Sequence, residues 1–206
     1  MNKALLREVL TLTVEHLWLV SIAILIAVSI AVPLGIFLAR RAAVRRWALA
    51  ITNIVQTIPS LALFGFLLPV PFIGGIGKRT AIVALVLYAL LPVLRNTIVG
   101  MLGVDRGVRE SAVAMGMTSR QLLWQVELPL AAAAIMAGVR IATVSTIGTA
   151  TIAAAIGGGG LGTFIFRGIA MVDSNTVLAG AVPAAIIALF ADGGLGWIER
   201  KLSSWS

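Results

Sequence analysis

The sequence predicts an all-α integral membrane protein with about five transmembrane helices, and three observations support this prediction. The chain has 206 residues, of which 60% are hydrophobic and only 12% charged. Its mean hydropathy of +1.06 implies more apolar surface than one soluble domain of this size could bury. Five apolar runs approach the roughly 20 residues that span a bilayer. They are 17–39, 47–70, 80–101, 128–156 and 177–198, and we expect residues 1–206 to form one transmembrane domain.

The distribution of Lys and Arg predicts the orientation of these spans, because positively charged loops stay in the cytoplasm. Four arginines fill the first loop, and the third loop contains Arg106, Arg109 and Arg120. The opposite side carries fewer basic residues. We therefore expect the N-terminus outside and the C-terminus inside. The first run is too long for a signal-peptide core and is expected to remain as a membrane anchor.

The composition argues against several classes of function. The chain has no cysteine, so disulfide frameworks and thiolate metal sites are excluded. Its one histidine, His16, cannot form a histidine metal cluster, and we expect it to be an interfacial residue near the outer end of the first span. The net charge of +8 follows from membrane topology, since short loops lack the folded basic face of a nucleic-acid-binding protein. No nucleic-acid partner, catalytic residue or metal site is expected.

A glycine-rich segment, "GGGGLG" at 157–162, contains a formal GxGxxG pattern. A dinucleotide-binding site would require a β-strand before this pattern, and here an apolar helix is predicted instead. We therefore expect no cofactor to bind this chain. The glycines are expected to end the fourth helix at the outer surface. They lead into a re-entrant or interfacial segment, "TFIFRGIA", and Asp173 to Asn175 then turn the chain into the last span.

The longest inside loop, 102–127, is predicted to fold into two short helices. Asp105 begins the first helix, and Gly116 is placed to end it, since glycine accepts the left-handed conformation found past helix C-termini. "TSRQ" has the spacing of a capping box for the second helix. In that helix Val126 and two leucines share one side, whereas Glu127 and the other polar residues fall elsewhere. Pro129 opens the next span.

Composition alone leaves two interpretations of this loop at nearly equal weight. Two amphipathic helices hinged at a glycine on the cytoplasmic face are suited to dock a soluble partner. The same pair could instead lie on the lipid surface.

The loop resembles the EAA loop of the inner-membrane permease subunits of bacterial ABC importers. The resemblance rests on "ESAVAMG" followed by "VELPL". The residues that match the family pattern are Glu110, Ala112, Gly116, Leu128 and Pro129, and Ser111 departs from it while keeping a small side chain. The resemblance implies that this loop is a coupling helix seated in a cleft of the ATP-binding subunit.

Longer runs at 54–69, 87–100 and 135–162 resemble the osmoprotectant permeases for glycine betaine, carnitine or choline. The resemblance implies a bacterial inner-membrane importer that works with two ATPase subunits, which would carry the ATP and Mg. It also implies a second permease copy or a paralogue, and an extracytoplasmic substrate-binding protein. Since the chain ends at Ser206 without a receptor domain, we expect that binding protein to be a separate chain. Another small amino-acid-derived quaternary amine is the alternative substrate.

Polar residues within the spans are expected to face other helices or a water-filled path, because lipid offers no hydrogen-bond partners. We expect the following residues to line a passage between two copies: Asn53, Gln56, Thr57, Pro59, Ser60, Asn96, Thr143, Ser145, Thr146 and Thr149. Pro59 should also kink the second span.

The alternative is that the hydroxyls bond back to their own helix, and that Gly138, Ala142, Ser145 and Thr149 only permit close packing. For any one hydroxyl this alternative is favoured, whereas the amides of Asn53 and Gln56 favour the passage.

Two further features bear on mechanism. Arg140 and Asp192 lie in the fourth and fifth spans and could neutralise each other, because an unpaired charge in the bilayer is costly.

Aromatic residues make up only 6% of the chain, too few to suggest a cation-π cage, so selectivity is expected in the partner receptor.

Two other classes of function are alternatives to the importer. An ion-gradient-driven transporter or channel would need an intramembrane acidic residue and inverted repeats. A membrane enzyme would need convergent histidines or carboxylates.

Overall fold

The computed structural model describes residues 3–203, which form α-helices joined mostly by short turns. The helices are α1 (Lys3–Ala39), α2 (Ala42–Thr57), α3 (Ser60–Leu67), α4 (Lys78–Gly103), α5 (Arg106–Ala114), α6 (Ser119–Leu122), α7 (Leu128–Ile152), α8 (Gly162–Met171) and α9 (Ser174–Ser203). A π-helical turn, Leu123–Glu127, joins α6 to α7, and a 3-10 turn, Ala153–Ile156, follows α7. Residues 3–203 contain no β-strand, as predicted for an all-α protein.

Four helical runs are long and apolar enough to cross a membrane by themselves. They are Leu5–Ala39, Lys78–Gly103, Ser119–Ile156 and Ser174–Ser203. A fifth crossing is possible if α2 and α3 together form one broken span, since they meet at an angle of 100°. The prediction of about five spans is confirmed, as four continuous helices and one broken pair.

The first helix begins at Lys3, well before the apolar run that starts at Leu17. Its 37 residues correspond to about 55 Å of helix, longer than the roughly 30 Å hydrocarbon core. The early part is held by two ion pairs, Glu8 with Arg167 of α8 at 2.8 Å and Glu15 with Lys78 of α4 at 2.9 Å. The amphipathic residues before Leu17 therefore continue the same helix.

Helix α4 forms the centre of the bundle and packs against α1, α2, α3 and α7. Small residues allow these close contacts. Ala23, Ala27 and Ala31 of α1 are fully buried at the spacing of one helical face. On the other side of α4, Gly100 lies against Ala131 and Ala134 of α7. Lipid tails are as apolar as the side chains, so such close packing is what holds membrane helices together.

The break between α2 and α3 is stabilised by a pair of hydrogen bonds to α4, which we call the proline latch. Pro59 ends α2 and Ile58 adopts an extended conformation, which leaves the Ile58 carbonyl outside the helix. The Tyr88 hydroxyl donates to this carbonyl. The Tyr88 carbonyl would normally accept from residue 92, but Pro92 has no N–H, and the Gln56 amide donates to it at 2.8 Å.

The latch therefore provides partners for the Ile58 carbonyl at the break and for the Tyr88 carbonyl that Pro92 leaves free. The predicted kink at Pro59 is confirmed, and it is a 100° bend.

His16 is fully buried, so the expectation of an interfacial histidine is wrong. Its Nε2 lies 3.1 Å from the Ile147 carbonyl oxygen of α7. The glycine-rich segment covers it, because a Cβ on Gly160 would lie only 3.0 Å from His16 Nδ1. The Gly160 amide donates to Glu15 at 3.3 Å. Helices distant in sequence bury this residue, and the local sequence around His16 does not show that they will pack there.

The predicted helix end at the glycine-rich segment is confirmed, since Gly157 adopts a left-handed conformation with φ +74° after the 3-10 turn. The turn into α9 is also as predicted. The Thr176 hydroxyl and the Asn175 amide donate to Asp173, and these bonds hold the pKa of that carboxyl below its ordinary value.

Gly138→Ala is expected to lower the thermal unfolding midpoint of the chain in detergent. The added Cβ would stand 2.6 Å from the Asn96 Cβ and 2.8 Å from the Pro92 carbonyl oxygen, and overpacking costs about 1–3 kcal/mol. Gly148→Ala on the same helix is the matched control, because its Cβ meets nothing within 4 Å. Equal midpoints for the two variants would contradict close packing of α4 on α7 at this point.

Tyr88→Phe is expected to destabilise the chain by about 1–3 kcal/mol, because the Ile58 carbonyl would lose its partner. The measurement is the same unfolding midpoint. Thr52→Val serves as control, since the Thr52 hydroxyl bonds only to carbonyls of its own helix. If Tyr88→Phe unfolds at the same temperature as the control, the latch does not stabilise the break.

Candidate functional site

The loop between α4 and α7 contains the two predicted helices. Asp105 caps α5, and its side chain accepts from the Val108 amide at 3.0 Å. Gly116 follows α5 with φ +84°, a left-handed conformation that glycine adopts without strain. Thr118 and Gln121 form the predicted capping box at the start of α6. The predicted start of each helix and the predicted end of the first are therefore confirmed. The second is not a separate short helix.

The second of these helices continues into the membrane. From Ser119, α6, the π-helical turn and α7 form one helical run that reaches Ile156. Pro129 is the second residue of α7 and follows the π-helical turn, so its missing N–H removes one backbone hydrogen bond inside this run. The helix α6 is therefore continuous with a helix long and apolar enough to span the membrane.

The residues aligned with the EAA pattern, including the departing Ser111, are mostly accessible. Glu110 is exposed and pairs with Arg106 at 2.7 Å, Ser111 and Pro129 are exposed, and Leu128 is partly buried. Ala112 is buried. A Cβ on Gly116 would meet nothing within 4 Å, so the glycine faces open space on this chain.

Large apolar side chains are exposed on the same loop although it is rich in charge. Met115 is 73% exposed and Trp124 is 64% exposed, and Val108 and Val113 are also exposed. A shallow groove of about 450 Å³ lies beside them, lined by Thr118, Arg120, Gln121, Trp124 and Gln125. Exposed apolar groups rimmed by polar residues are typical of protein-interaction sites.

Glu127 is a buried acidic residue of this loop. The helical pattern places it away from the apolar side of the second helix, and its side chain is nevertheless only 6% exposed. Its carboxylate lies 2.7 Å from Arg40 and 3.1 Å from Arg109. The sequence signal for this burial is weak, because both arginines belong to other segments of the chain.

The polar residues of the second span surround the 100° break. Asn53 is exposed, Gln56 is held by the proline latch, and the Thr57 hydroxyl donates to the Ile54 carbonyl of its own helix at 2.7 Å. Pro59 immediately precedes α3, and Ser60 is its first residue. The structure thus brings this group together beside α4.

Asn96 lies at the contact between α4 and α7. It donates to the Pro92 carbonyl at 2.9 Å, and its Cβ faces Gly138 of α7. Both predicted groups of polar residues, those of α2 and α3 and those of α7, therefore lie on helices that pack against α4.

The predicted hydroxyl residues of α7 differ in hydrogen bonding and in exposure. Thr143 donates to the Val139 carbonyl at 2.7 Å and Thr149 donates to the Ser145 carbonyl at 2.9 Å, which are bonds within their own helix. Thr146 is buried with 2% exposure, whereas Ser145 is exposed. Of the small-residue stripe, Gly138 and Ala142 pack closely.

The predicted pair of Arg140 and Asp192 exists, and a third residue joins it. Arg140 Nε and Nη2 donate to the two Asp192 oxygens at 2.7 and 2.9 Å, a bidentate geometry that strengthens charged hydrogen bonds. Its Nη1 donates to Glu199 at 3.2 Å. Gly196 leaves room for the guanidinium, since a Cβ there would lie 3.1 Å from Arg140 Cζ. Glu199 lies two helical turns after Asp192, which is the sequence signal that could have predicted it.

This cluster borders a groove of about 410 Å³ between α7 and α9, lined by Ala137, Arg140, Ile141, Val144, Ser145, Asp192 and Glu199. Within residues 3–203 no group of three or more His, Cys, Asp or Glu side chains could hold a metal ion.

Sequence comparison gives one family over most of the chain. The model of the family described as "Binding-protein-dependent transport system inner membrane component" matches residues 31–204. The chain is 43% identical to the carnitine transport permease protein OpuCB of Listeria monocytogenes, over 95% of this chain and 88% of the relative. It is 45% identical to the choline transport system permease protein OpuBB of Bacillus subtilis, over 95% and 89%.

Structural comparison agrees with this assignment at the level of fold. The chain is similar to a chain of the inward-facing methionine ABC transporter MetNI, with a TM-score of 0.87 and 23% identity over 98% of this chain and 99% of that chain. The described helices and the permease relatives indicate a multi-pass protein of the bacterial inner membrane. The chain belongs to the family of inner-membrane components of binding-protein-dependent transport systems.

Proposed function

We propose that this chain is the translocation subunit of an ATP-driven importer for osmoprotectants such as glycine betaine, carnitine or choline. The observation that carries this proposal is the loop with α5 and α6, which presents exposed apolar groups beside Gly116 and continues into a spanning helix. The substrate class comes from the carnitine and choline permeases to which 43% and 45% of the aligned residues are identical.

The proposed assembly contains two copies of an ATPase subunit, which bind the ATP and Mg²⁺. It also contains a second permease, either another copy of this chain or a paralogue, and an extracytoplasmic substrate-binding protein. The family description itself names dependence on a binding protein. With the N-terminus outside and the C-terminus inside, the arginine-rich segments and the loop at 102–127 face the ATPases.

The proposed coupling starts at the exposed side of α5. Closure of the two ATPases on ATP draws their clefts together, and the clefts carry the paired α5 helices with them. The residues proposed to engage or shape this contact are Glu110, Ser111, Ala112, Gly116, Leu128 and Pro129. The continuous run from Ser119 to Ile156 transmits the movement to the outer surface, and hydrolysis resets the assembly.

The proposed passage runs between the two permeases. Asn53, Gln56, Thr57 and Ser60 would approach it from the broken span beside Pro59, and Asn96 and the α7 group Thr143, Ser145, Thr146 and Thr149 from the neighbouring helices. The exposed positions of Asn53 and Ser145 support this proposal most directly. Hydroxyl and amide groups let a zwitterion or cation pass without trapping it, and selectivity is assigned to the binding protein.

Uptake of labelled glycine betaine, carnitine or choline tests the proposed function. The assembled transporter, with its ATPase and binding protein in proteoliposomes, should accumulate one of them only when ATP is supplied inside. Collapse of the proton and sodium gradients with ionophores should leave uptake unchanged. Uptake that follows an ion gradient and ignores ATP would instead indicate a secondary transporter.

Gly116→Val is expected to reduce ATP-driven uptake at least about tenfold, since a left-handed β-branched residue is strained by about 1–2 kcal/mol at the point where the ATPase cleft would receive α5. Substrate affinity of the binding protein should not change. Gly116→Asn is the matched control, because asparagine tolerates the left-handed conformation and should retain most uptake. Normal uptake by Gly116→Val would remove the coupling role of this glycine.

A further inference from the structure

The carboxylate of Glu127 joins three separate segments of the chain. One oxygen contacts Arg40 Nη2 at 2.7 Å, just after the end of α1. The other lies 3.1 Å from Arg109 Nε on α5. Glu127 itself is the last residue before α7. The side chain is 6% exposed, and a charge so deeply buried is retained only where it is paired.

Arg109 extends this contact to a fourth segment. Its Nη2 donates to the carbonyl of Met101, which lies in the last turn of α4 and has no partner within that helix. The ends of α1 and α4, the helix α5 and the start of α7 therefore meet at one ion network. We call Arg40, Arg109 and Glu127 the cytoplasmic joint.

The π-helical turn places Glu127 at this meeting point. A π turn adds one residue to a helical turn, which rotates the following side chains by about 100° around the axis relative to an unbroken α-helix. The turn ends at Glu127 itself. Such turns in other proteins occur frequently at functional sites.

Few other contacts connect α5 to the bundle. Of its residues, only Ala112 is buried, and the remainder of its surface is polar or exposed. The chain links α5 directly to α4 and α6, but α1 is distant in sequence. The path from α5 to α1 through side chains runs from Arg109 to Glu127 and on to Arg40.

We propose that Glu127 is a positioning residue that transmits the movement of α5 to the α1 end of the bundle. This inference rests on the proposed function, in which ATPases move α5. With the joint intact, α1, α4 and α7 move as one body when α5 is drawn inward. Without it, α1 still packs on α4, but its Arg40 end is no longer tied to α5 and α7. Less of the movement then reaches α1, and hydrolysis continues with much less transport.

The test is the number of substrate molecules imported per ATP hydrolysed by the complete transporter in proteoliposomes. Glu127→Gln keeps the shape of the side chain and removes its charge. We expect ATP hydrolysis within about twofold of wild type and a transport ratio at least tenfold lower. Glu127→Asp should restore part of the ratio, because it retains the charge with a shorter reach. Glu8→Gln, which breaks the half-exposed pair with Arg167 at the other end of α1, is the matched control and should keep the wild-type ratio.

A purely structural role would lower assembly, hydrolysis and uptake together and leave their ratio unchanged, and that outcome would overturn the proposal. If Glu127→Gln does not assemble, the same ratio is measured for Arg40→Gln. This variant should assemble, because Arg109 still neutralises the buried Glu127. A wild-type ratio in Arg40→Gln would then refute transmission to α1, and a lowered ratio would support it.

The proposed function fails separately from this inference. If the wild-type chain captures no ATPase and shows no ATP-dependent uptake, the proposed function is wrong. If the wild type couples normally and the Glu127→Gln and Arg40→Gln variants do too, only the role of the joint is wrong.

Discussion

The absence of hydrogen-bond partners in lipid is the constraint on which the rest of this structure depends. Two interruptions of helices in the described bundle, at Pro59 and Pro92, are accompanied by an internal partner for a free carbonyl. Gln56 and Tyr88 bond to the carbonyls freed at Pro92 and Pro59. Arg140 is neutralised by Asp192 and Glu199 in the same way. Because these partners exist, a sharply broken span can persist beside the other spans, and polar residues can be kept in an apolar bundle.

The same solvent also decides how the helices associate. Burial of apolar area contributes little between helices already in lipid, so contact distance matters. Alanines on α1 and glycines on α4 and α7 bring backbones close to α4. Large side chains such as Phe66 and Leu189 face outward. The bundle is therefore ordered around one central helix, and the loop that contacts the ATPase in the proposed assembly begins where that helix ends.

Local features of this protein could be predicted from sequence because local groups determine them. The cap at Asp105, the capping box at Thr118, the left-handed Gly116 and the bend at Pro59 each depend on a few neighbouring residues. The Arg140 and Asp192 pair was predictable because charge in lipid needs a partner. The buried His16, the cytoplasmic joint and the proline latch could not be predicted, since their partners lie between 18 and 131 positions away. Only the packing of distant helices determines them.

The helical run from Ser119 to Ile156, which includes the π-helical turn and ends in the 3-10 turn, has a mechanical consequence. Its 38 residues form a rod about 57 Å long at about 1.5 Å per residue. A stiff rod converts a small tilt into a displacement that grows with its length, so a tilt of about 5° at one end shifts the other by about 5 Å. The glycine-rich segment that follows this run, and that covers His16, lies at the end opposite the loop, where such a tilt would produce its largest displacement.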